Sequence, residues 1–468
     1  MKTETTEKTG FLGKIDKFFK ISERGSTIGR ELMGGLVIFL AMIYILPVNA
    51  GILSITGMGY AAVFVATALA AGIATILMGL IANYPIGLAA GMGLNALMAF
   101  TVCGGLGFSW QECLACVFIS GILFLIISLT GVRKKIINAI PKNLKLAIGA
   151  GIGGFVAFIG LKNAGIIIAD PAGTFVTLNG SPAPVVYLGL FGIVLAFCLY
   201  AMKNKASRFA VIISMAVTAL IGLFIFYVFK LGGFNADIMN SFPHFGTNES
   251  ISDIKNIFGG CFSGFKTVFA KPEAYAVIFT FLFVDFFDTA GTLVAVGQDA
   301  GLVDEKGELV DGNKAMIADA VGTVAGAVLG TSTVTSFVES STGVKSGART
   351  GLAACVTGVL FFLSIVLFPV FSIFTNSATT SMALVLVGAM MFASLKNIEW
   401  DDKITVASAF ITILSMLLCY SISEGIAFGF IFYVAMMLFA KRHKEVNWIM
   451  YVLAGLFVLN FVVKFAFL

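Results

Sequence analysis

GTSTVTSFVESSTGVKSG, residues 330–347, lies in a strongly apolar chain but does not read as an ordinary membrane-spanning helix. It is rich in Ser, Thr and Val, opens with a strand-like alternation, and carries Glu339 at its middle. A counterpart sits in the first half of the chain: NYPIGLAAGMGLNALMAF, residues 83–100, is broken by Pro85, Gly87, Gly91 and Gly93. Irregular backbone is tolerated at membrane depth only where it lines a cavity, and paired interrupted segments in two halves of a chain point to a transporter's central site. Each stretch is therefore read as a short extended piece followed by a half-helix whose N-terminus points at a substrate.

The surrounding composition requires a bilayer. Of 468 residues, 59% are hydrophobic and 12% charged, whereas a water-soluble domain carries about a quarter of its residues as charge. This predicts an all-α polytopic membrane protein, and the net charge of +5 does not point to nucleic acid. The tail 1–30 holds seven Lys and Arg without an apolar core, so a cleaved leader is not expected.

Apolar stretches of about 20 residues, enough to span, occur at 32–55, 60–82, 84–103, 110–130, 143–163, 184–203 and 207–230. After a polar connection at 231–271 come 272–297, 314–330, 331–346, 348–372, 378–396, 403–421 and 423–441, with an extra helix at 446–466. With the N-terminus inside, 24 of the 30 Lys and Arg fall on the cytoplasmic side, as the positive-inside rule requires. The connection 231–271 is then extracellular. Seven is odd, so a second set of seven enters from the opposite face: about 14 transmembrane segments in a seven-plus-seven inverted repeat, 31–230 and 272–441. The interrupted stretches are segments 3 and 10. Whether 446–466 spans or lies at the interface is left open by its sequence.

An ionisable side chain at membrane depth costs at least ~2.5 kcal/mol and marks function by default. Glu339 can accept hydrogen bonds from a ligand, hold a proton, or merely cap its own helix. Asp285 and Asp288, spaced i, i+3, share a helix face and can line one cavity. Either one becomes a proton acceptor through their mutual repulsion, or one binds substrate while the other pairs with a backbone group. Asn95 offers a donor and an acceptor, or a packing bond. Asp319 reads equally as a ligand and as a partner for nearby backbone. Gly322, Gly326 and Gly330, and also Gly149 and Gly153, form small-residue ridges for close helix packing. Cys113 and Cys116 form a C-x-x-C inside an apolar run, and His244 and His443 fall outside the spans. No metal site, cofactor or hydrolytic triad is expected, and an enzyme is not indicated.

Three motifs in order, GMGLNALMAF (91–100), VDFFDTAGTL (284–293) and TSTVTSFVESSTGV (331–344), closely resemble those of the AzgA-like purine permeases, a branch of the nucleobase transporter superfamily. The resemblance covers nearly the whole chain. It implies a core domain (31–130 and 272–372) and a gate domain (143–230 and 378–441) with a purine between them, and proton-coupled uptake. It further implies substrate binding by Asn95, Asp285 and Glu339, with neighbouring Gly93 in the same site, and a functional role for Asp288. Proton coupling falls to Asp288, Asp285 or Glu339, with the two aspartates favoured.

The expected function is thus proton symport of adenine, guanine or hypoxanthine across the cytoplasmic (inner) membrane by alternating access. The partners are the purine, protons and the lipid bilayer, and the architecture is compatible with a homodimer. The rival reading is an inorganic-anion exchanger of the same architecture, against which three buried carboxylates speak. Adenine and guanine/hypoxanthine preferences are not separable from these residues.

Overall fold

The computed structural model describes residues 11–130, 140–170, 176–203, 205–233, 239, 242, 251–302, 309–374 and 376–467. The first ten residues of the tail and part of the 231–271 connection, His244 included, fall outside the described residues. Among the described residues the chain is mostly helical, and nine helices are long and apolar enough to cross a membrane. A tenth span is obtained when Gly351–Ser364 and Phe368–Phe374, bent by 80°, are taken together. The bend falls where a new helix starts with Pro369 in its first turn, a position at which the missing N–H costs nothing.

The other expected segments are shorter or interrupted. Lys403–Leu418 has 16 residues, and Gly312–Leu329 is built largely from small residues around a buried Asp319. Segments 3 and 10 break as their sequences suggest. Among the described residues there are four short strands: β1 (Leu88–Ala90), β2 (Ile167–Ala169), β3 (Val176–Leu178) and β4 (Val334–Ser336). β2 pairs with β3. β1 and β4, both fully buried, pair antiparallel with Leu88 opposite Ser336 and Ala90 opposite Val334. Each strand thus satisfies the polar backbone of the other where lipid and water are both excluded. After β1 the chain becomes helical at Met92–Ala96 and continues as a π-helical stretch, Leu97–Gly105. After β4 it forms a single 3₁₀ turn, Val338–Ser340, and the short helix Ser341–Lys345.

The long helices pack in two sets. In one, Gly351–Ser364 lies against Ile28–Met42 and Tyr60–Leu77, and Gly312–Leu329 against Tyr60–Leu77 and Trp110–Thr130, with Glu273–Asp299 beside Trp110–Thr130. In the other, Ser377–Phe392 lies against Lys142–Asn163 and Pro184–Ala201, and Lys403–Leu418 against Lys142–Asn163 and Ile422–Phe439. Contact between the sets includes Met92–Ala96 on Lys142–Asn163 and Ile45–Ser54 on Ser377–Phe392. The C-terminal helix Trp448–Phe467 packs on Ile422–Phe439, with the Phe457 ring against Phe279 and Phe430.

The glycine ridge of Gly312–Leu329 proves to be three different devices. A Cβ on Gly322 would stand 2.7 Å from the Ala74 Cβ, so this glycine sets a helix contact. Gly326 faces the returning chain, where an added Cβ would stand 2.9 Å from the Ser332 carbonyl oxygen. Gly330, at φ +95°, is the left-handed cap that turns the helix toward β4.

One end of the first helix set is tied by polar groups. Buried Glu31 accepts from the Arg349 and Thr350 backbone N–H groups at 2.8 and 3.2 Å, at the N-terminus of Gly351–Ser364. There it serves as an anionic cap for otherwise orphaned donors. Asn83, at φ +56°, accepts from the Gly351 N–H and donates to the Phe19 carbonyl, while Arg24 donates to the Asn83 carbonyl. Glu31→Ala is expected to lower stability by about 1–3 kcal/mol, read as a reduced melting temperature of the detergent-solubilised protein. An unchanged melting curve would remove this cap from the account.

Candidate functional site

The two interrupted segments meet at the β1–β4 pair, and a cleft opens beside it. Tyr44, Gly93, Asp288, Thr335, Glu339 and Met391 are among its walls. They come from segments 1, 3, 8, 10 and 12, so both helix sets contribute.

Glu339 sits in the 3₁₀ turn just beyond β4, where its carboxyl group bonds its own backbone N–H. Its Oε1 accepts from the Tyr44 hydroxyl at 2.6 Å. Tyr44 is 1% exposed and lies at the break between Ile28–Met42 and Ile45–Ser54. The break turns its ring toward segment 10, so the hydroxyl holds one carboxylate oxygen of Glu339 in the cleft wall. Asp288 lines the same cleft and bonds the Thr335 hydroxyl. Gly93 stands where the half-helix approaches Lys142–Asn163; a Cβ there would meet Ile152 Cγ2 at 2.6 Å.

The aspartate pair divides between two environments. Asp288 faces the cleft, whereas Asp285 is 1% exposed and lies behind it, between its own helix and Gly312–Leu329. Its Oδ2 accepts from Thr323 Oγ1 at 2.9 Å. Asn95 is likewise fully buried and outside the cleft wall, with its side-chain oxygen accepting from the Ser332 hydroxyl. Its Nδ2 has no hydrogen-bond partner among the described residues. Asp319, open as a ligand or a structural group in the sequence, accepts from the Thr289 and Ser336 hydroxyls, each at 2.9 Å. The structure therefore brings Gly93, Asp288 and Glu339 to one surface and sets Asn95 and Asp285 one layer deeper.

The Ser and Thr residues of segment 10 account for this layering. Thr331 accepts from the Asn49 amide, Ser332 donates to Asn95, Thr335 bonds Asp288, and Ser336 donates to Asp319. Successive strand residues point to opposite faces, so β4 itself supplies hydroxyls to two helices, Glu273–Asp299 and Gly312–Leu329, while Thr331 and Ser332 just before it serve Asn49 and Asn95. Sequence reading missed Tyr44 and Thr323. The signal for Tyr44 was a phenol beside Pro47 in an apolar run; Thr323 carried none, because its meaning depends on where β4 returns. Cys113 and Cys116 are buried and unbridged, and among the described residues no three His, Cys, Asp or Glu side chains are placed to share a metal ion.

Comparison with known proteins agrees with this architecture. A fold likeness is found to the transmembrane domain of BicA, a cyanobacterium bicarbonate transporter, with a TM-score of 0.61 at 14% identity over 85% of this chain and 96% of that one. Murine Slc26a9, an anion transporter in the inward-facing state, gives 0.57 at 12% identity over 94% and 74%. These likenesses are of fold alone. In sequence, the guanine/hypoxanthine permease PbuG of Bacillus subtilis (strain 168) is 46% identical over 95% of this chain and 99% of its own length. The adenine permease AdeQ of Escherichia coli (strain K12) is 38% identical over 96% of each. The Xan_ur_permease model, described as the permease family, matches residues 29–457. With a match of that extent, a helical multi-pass architecture and the AzgA-like motifs in place, this membrane transporter belongs to the permease family.

Proposed function

We propose that the protein imports purine nucleobases together with protons, and that the cleft beside β1 and β4 is the purine site. The observation that carries this reading is the pairing of two acceptor carboxylates, Glu339 and Asp288, with the Thr335 hydroxyl on one cleft wall. A neutral purine presents ring and exocyclic N–H donors and ring-nitrogen acceptors, and such a wall answers them in kind. Relatives named as guanine/hypoxanthine and adenine permeases support the substrate class. In this reading Glu339 and Asp288 accept from the purine and Gly93 lets the half-helix backbone come close. Asn95 and Asp285 act from the layer behind, Asn95 by ordering the strand through Ser332 and Asp285 in proton coupling. An anion exchanger is disfavoured because a carboxylate-lined wall repels its substrate.

Transport proceeds by alternating access: the core (31–130 and 272–372) and the gate (143–230 and 378–441) move relative to each other around the cleft. These form fourteen segments in an inverted repeat, in the inner membrane with the N-terminus in the cytoplasm. The test is initial uptake of labelled adenine, guanine and hypoxanthine, at acidic and alkaline external pH, into cells lacking their own purine carriers. Uptake of at least one purine, faster at acidic pH, is expected. No purine entry at either pH would overturn the substrate; entry indifferent to pH and to uncouplers would overturn the coupling.

Tyr44→Phe keeps the ring and removes the hydroxyl that holds Glu339. Loss of a hydrogen bond to a charged group costs about 1.5–3 kcal/mol, so the KM for purine is expected to rise roughly tenfold, with protein yield and melting temperature close to wild type. A normal KM would show that Tyr44 does not position the glutamate.

A further inference from the structure

The hydrogen inventory around Asp285 does not close if this side chain is a carboxylate. Thr323 Oγ1 stands 2.9 Å from Asp285 Oδ2 and 3.0 Å from the Val334 carbonyl oxygen. A hydroxyl has one hydrogen, and a carboxylate and a carbonyl are both acceptors only. Asp285 Oδ1 has no hydrogen-bond partner among the described residues. An ionised Asp285 would therefore share a single hydrogen with a backbone carbonyl, at a site only 1% exposed. Its neighbours are better supplied: Asp319 has two hydroxyl donors, Glu339 has Tyr44, and Asp288 has Thr335. Burying a charge with so little compensation is strongly unfavourable. Both Thr323 contacts are satisfied when Asp285 is a carboxylic acid: its Oδ2–H donates to Thr323 Oγ1, the Thr323 O–H donates to the Val334 carbonyl, and the group left without a partner among the described residues is an uncharged carbonyl oxygen, Oδ1.

We infer that Thr323 is a positioning residue that links a proton held on Asp285 to strand β4, making Asp285 the carrier of the coupled proton. This rests on the purine–proton reading given above. When Asp285 releases its proton to water, it becomes an acceptor only. The Thr323 hydrogen turns to Asp285 Oδ2, and the Val334 carbonyl loses that bond. Val334 adjoins Thr335, which bonds Asp288 in the cleft wall, so proton loss and substrate release act on the same strand.

The charged groups nearest Asp285 are Asp319, from Gly312–Leu329, and Asp288, from its own helix. Glu339 faces Asp288 from the 3₁₀ turn, and Lys345, at the end of Ser341–Lys345, is exposed. Trp110–Thr130 and Ile422–Phe439 present Phe124 and Phe430 to the Asp285 helix, while their Glu112 and Glu424 lie in first turns. Met92–Ala96 contributes Asn95, which carries no charge. Lys314, at the start of Gly312–Leu329, is paired with Asp311.

The test uses purified full-length protein in liposomes and separates two modes: exchange of labelled for unlabelled purine, which needs no net proton movement, and accumulation driven by an imposed proton gradient. Thr323→Val is expected to reduce gradient-driven accumulation about tenfold while exchange stays within about twofold, and Thr323→Ser to restore accumulation. Asp285→Asn is expected to abolish accumulation in response to the gradient. The inference is overturned if Thr323→Val lowers both modes equally in a folded protein, if Thr323→Ser fails to rescue, or if Asp285→Asn still accumulates purine. Absence of any purine exchange by the wild-type protein would instead sink the purine reading, and this inference with it.

Discussion

Glu339→Gln reduces purine uptake roughly 100-fold. The amide keeps the size of the side chain, and its oxygen still accepts from Tyr44, so the fold is not at risk. What changes is the outward-facing atom. In place of a carboxylate oxygen that accepts from a purine N–H, the variant presents an N–H₂ group, and two donors then face each other in a partly enclosed cleft. A site built around a buried polar contact rejects a mismatch far more strongly than an apolar pocket does, because both groups are left unpaired. Initial rates of labelled purine uptake, normalised to the amount of protein in the membrane, check this. Uptake near the wild-type rate would remove Glu339 from the substrate site and shift attention to Asp288.

The second large effect is structural. Gly153 and Gly388 face each other where Lys142–Asn163 crosses Ser377–Phe392. A Cβ on Gly388 would stand 2.5 Å from the Gly153 carbonyl oxygen and 2.7 Å from the Ala157 nitrogen. One on Gly153 would stand 2.6 Å from the Gly388 carbonyl oxygen. These obstacles are backbone, so no rotamer change relieves them and the helices must separate. Gly388→Val is expected to destabilise the protein by about 1–3 kcal/mol or more, with a lower melting temperature and reduced yield of monodisperse protein. Gly149→Ala is the control: a Cβ there meets only Ser394 Oγ, at 3.8 Å, an ordinary contact. Equal melting temperatures for Gly388→Val and wild type would show that this crossing does not depend on close backbone approach.

The contrast between Gly149 and Gly153 shows how far the sequence reaches. Both lie in the same apolar helix and read as one ridge, yet one touches a partner backbone and the other does not. The same holds for Asp285 and Asp288. Their spacing puts them near one face of a helix, but a helix face is wide enough for two neighbouring side chains to enter different layers, and the helix Gly312–Leu329 takes one of them. Glu339 was legible as an unusual charge at membrane depth; its partner Tyr44, 295 positions away, was not.

Determined by the sequence alone were the membrane class, the approximate positions of the apolar segments, the two interrupted stretches and the short set of polar residues able to do chemistry. These follow from local rules, because hydropathy, proline and glycine breaks and the cost of buried charge act on the chain wherever it lies. Only the tertiary structure decided which of those residues share a surface. The cleft wall, the depth of Asp285 and Asn95, and the hydroxyls of β4 that serve two helices all arise from contacts between distant segments, and hydrogen-bond geometry at about 3 Å is fixed only once those segments have packed.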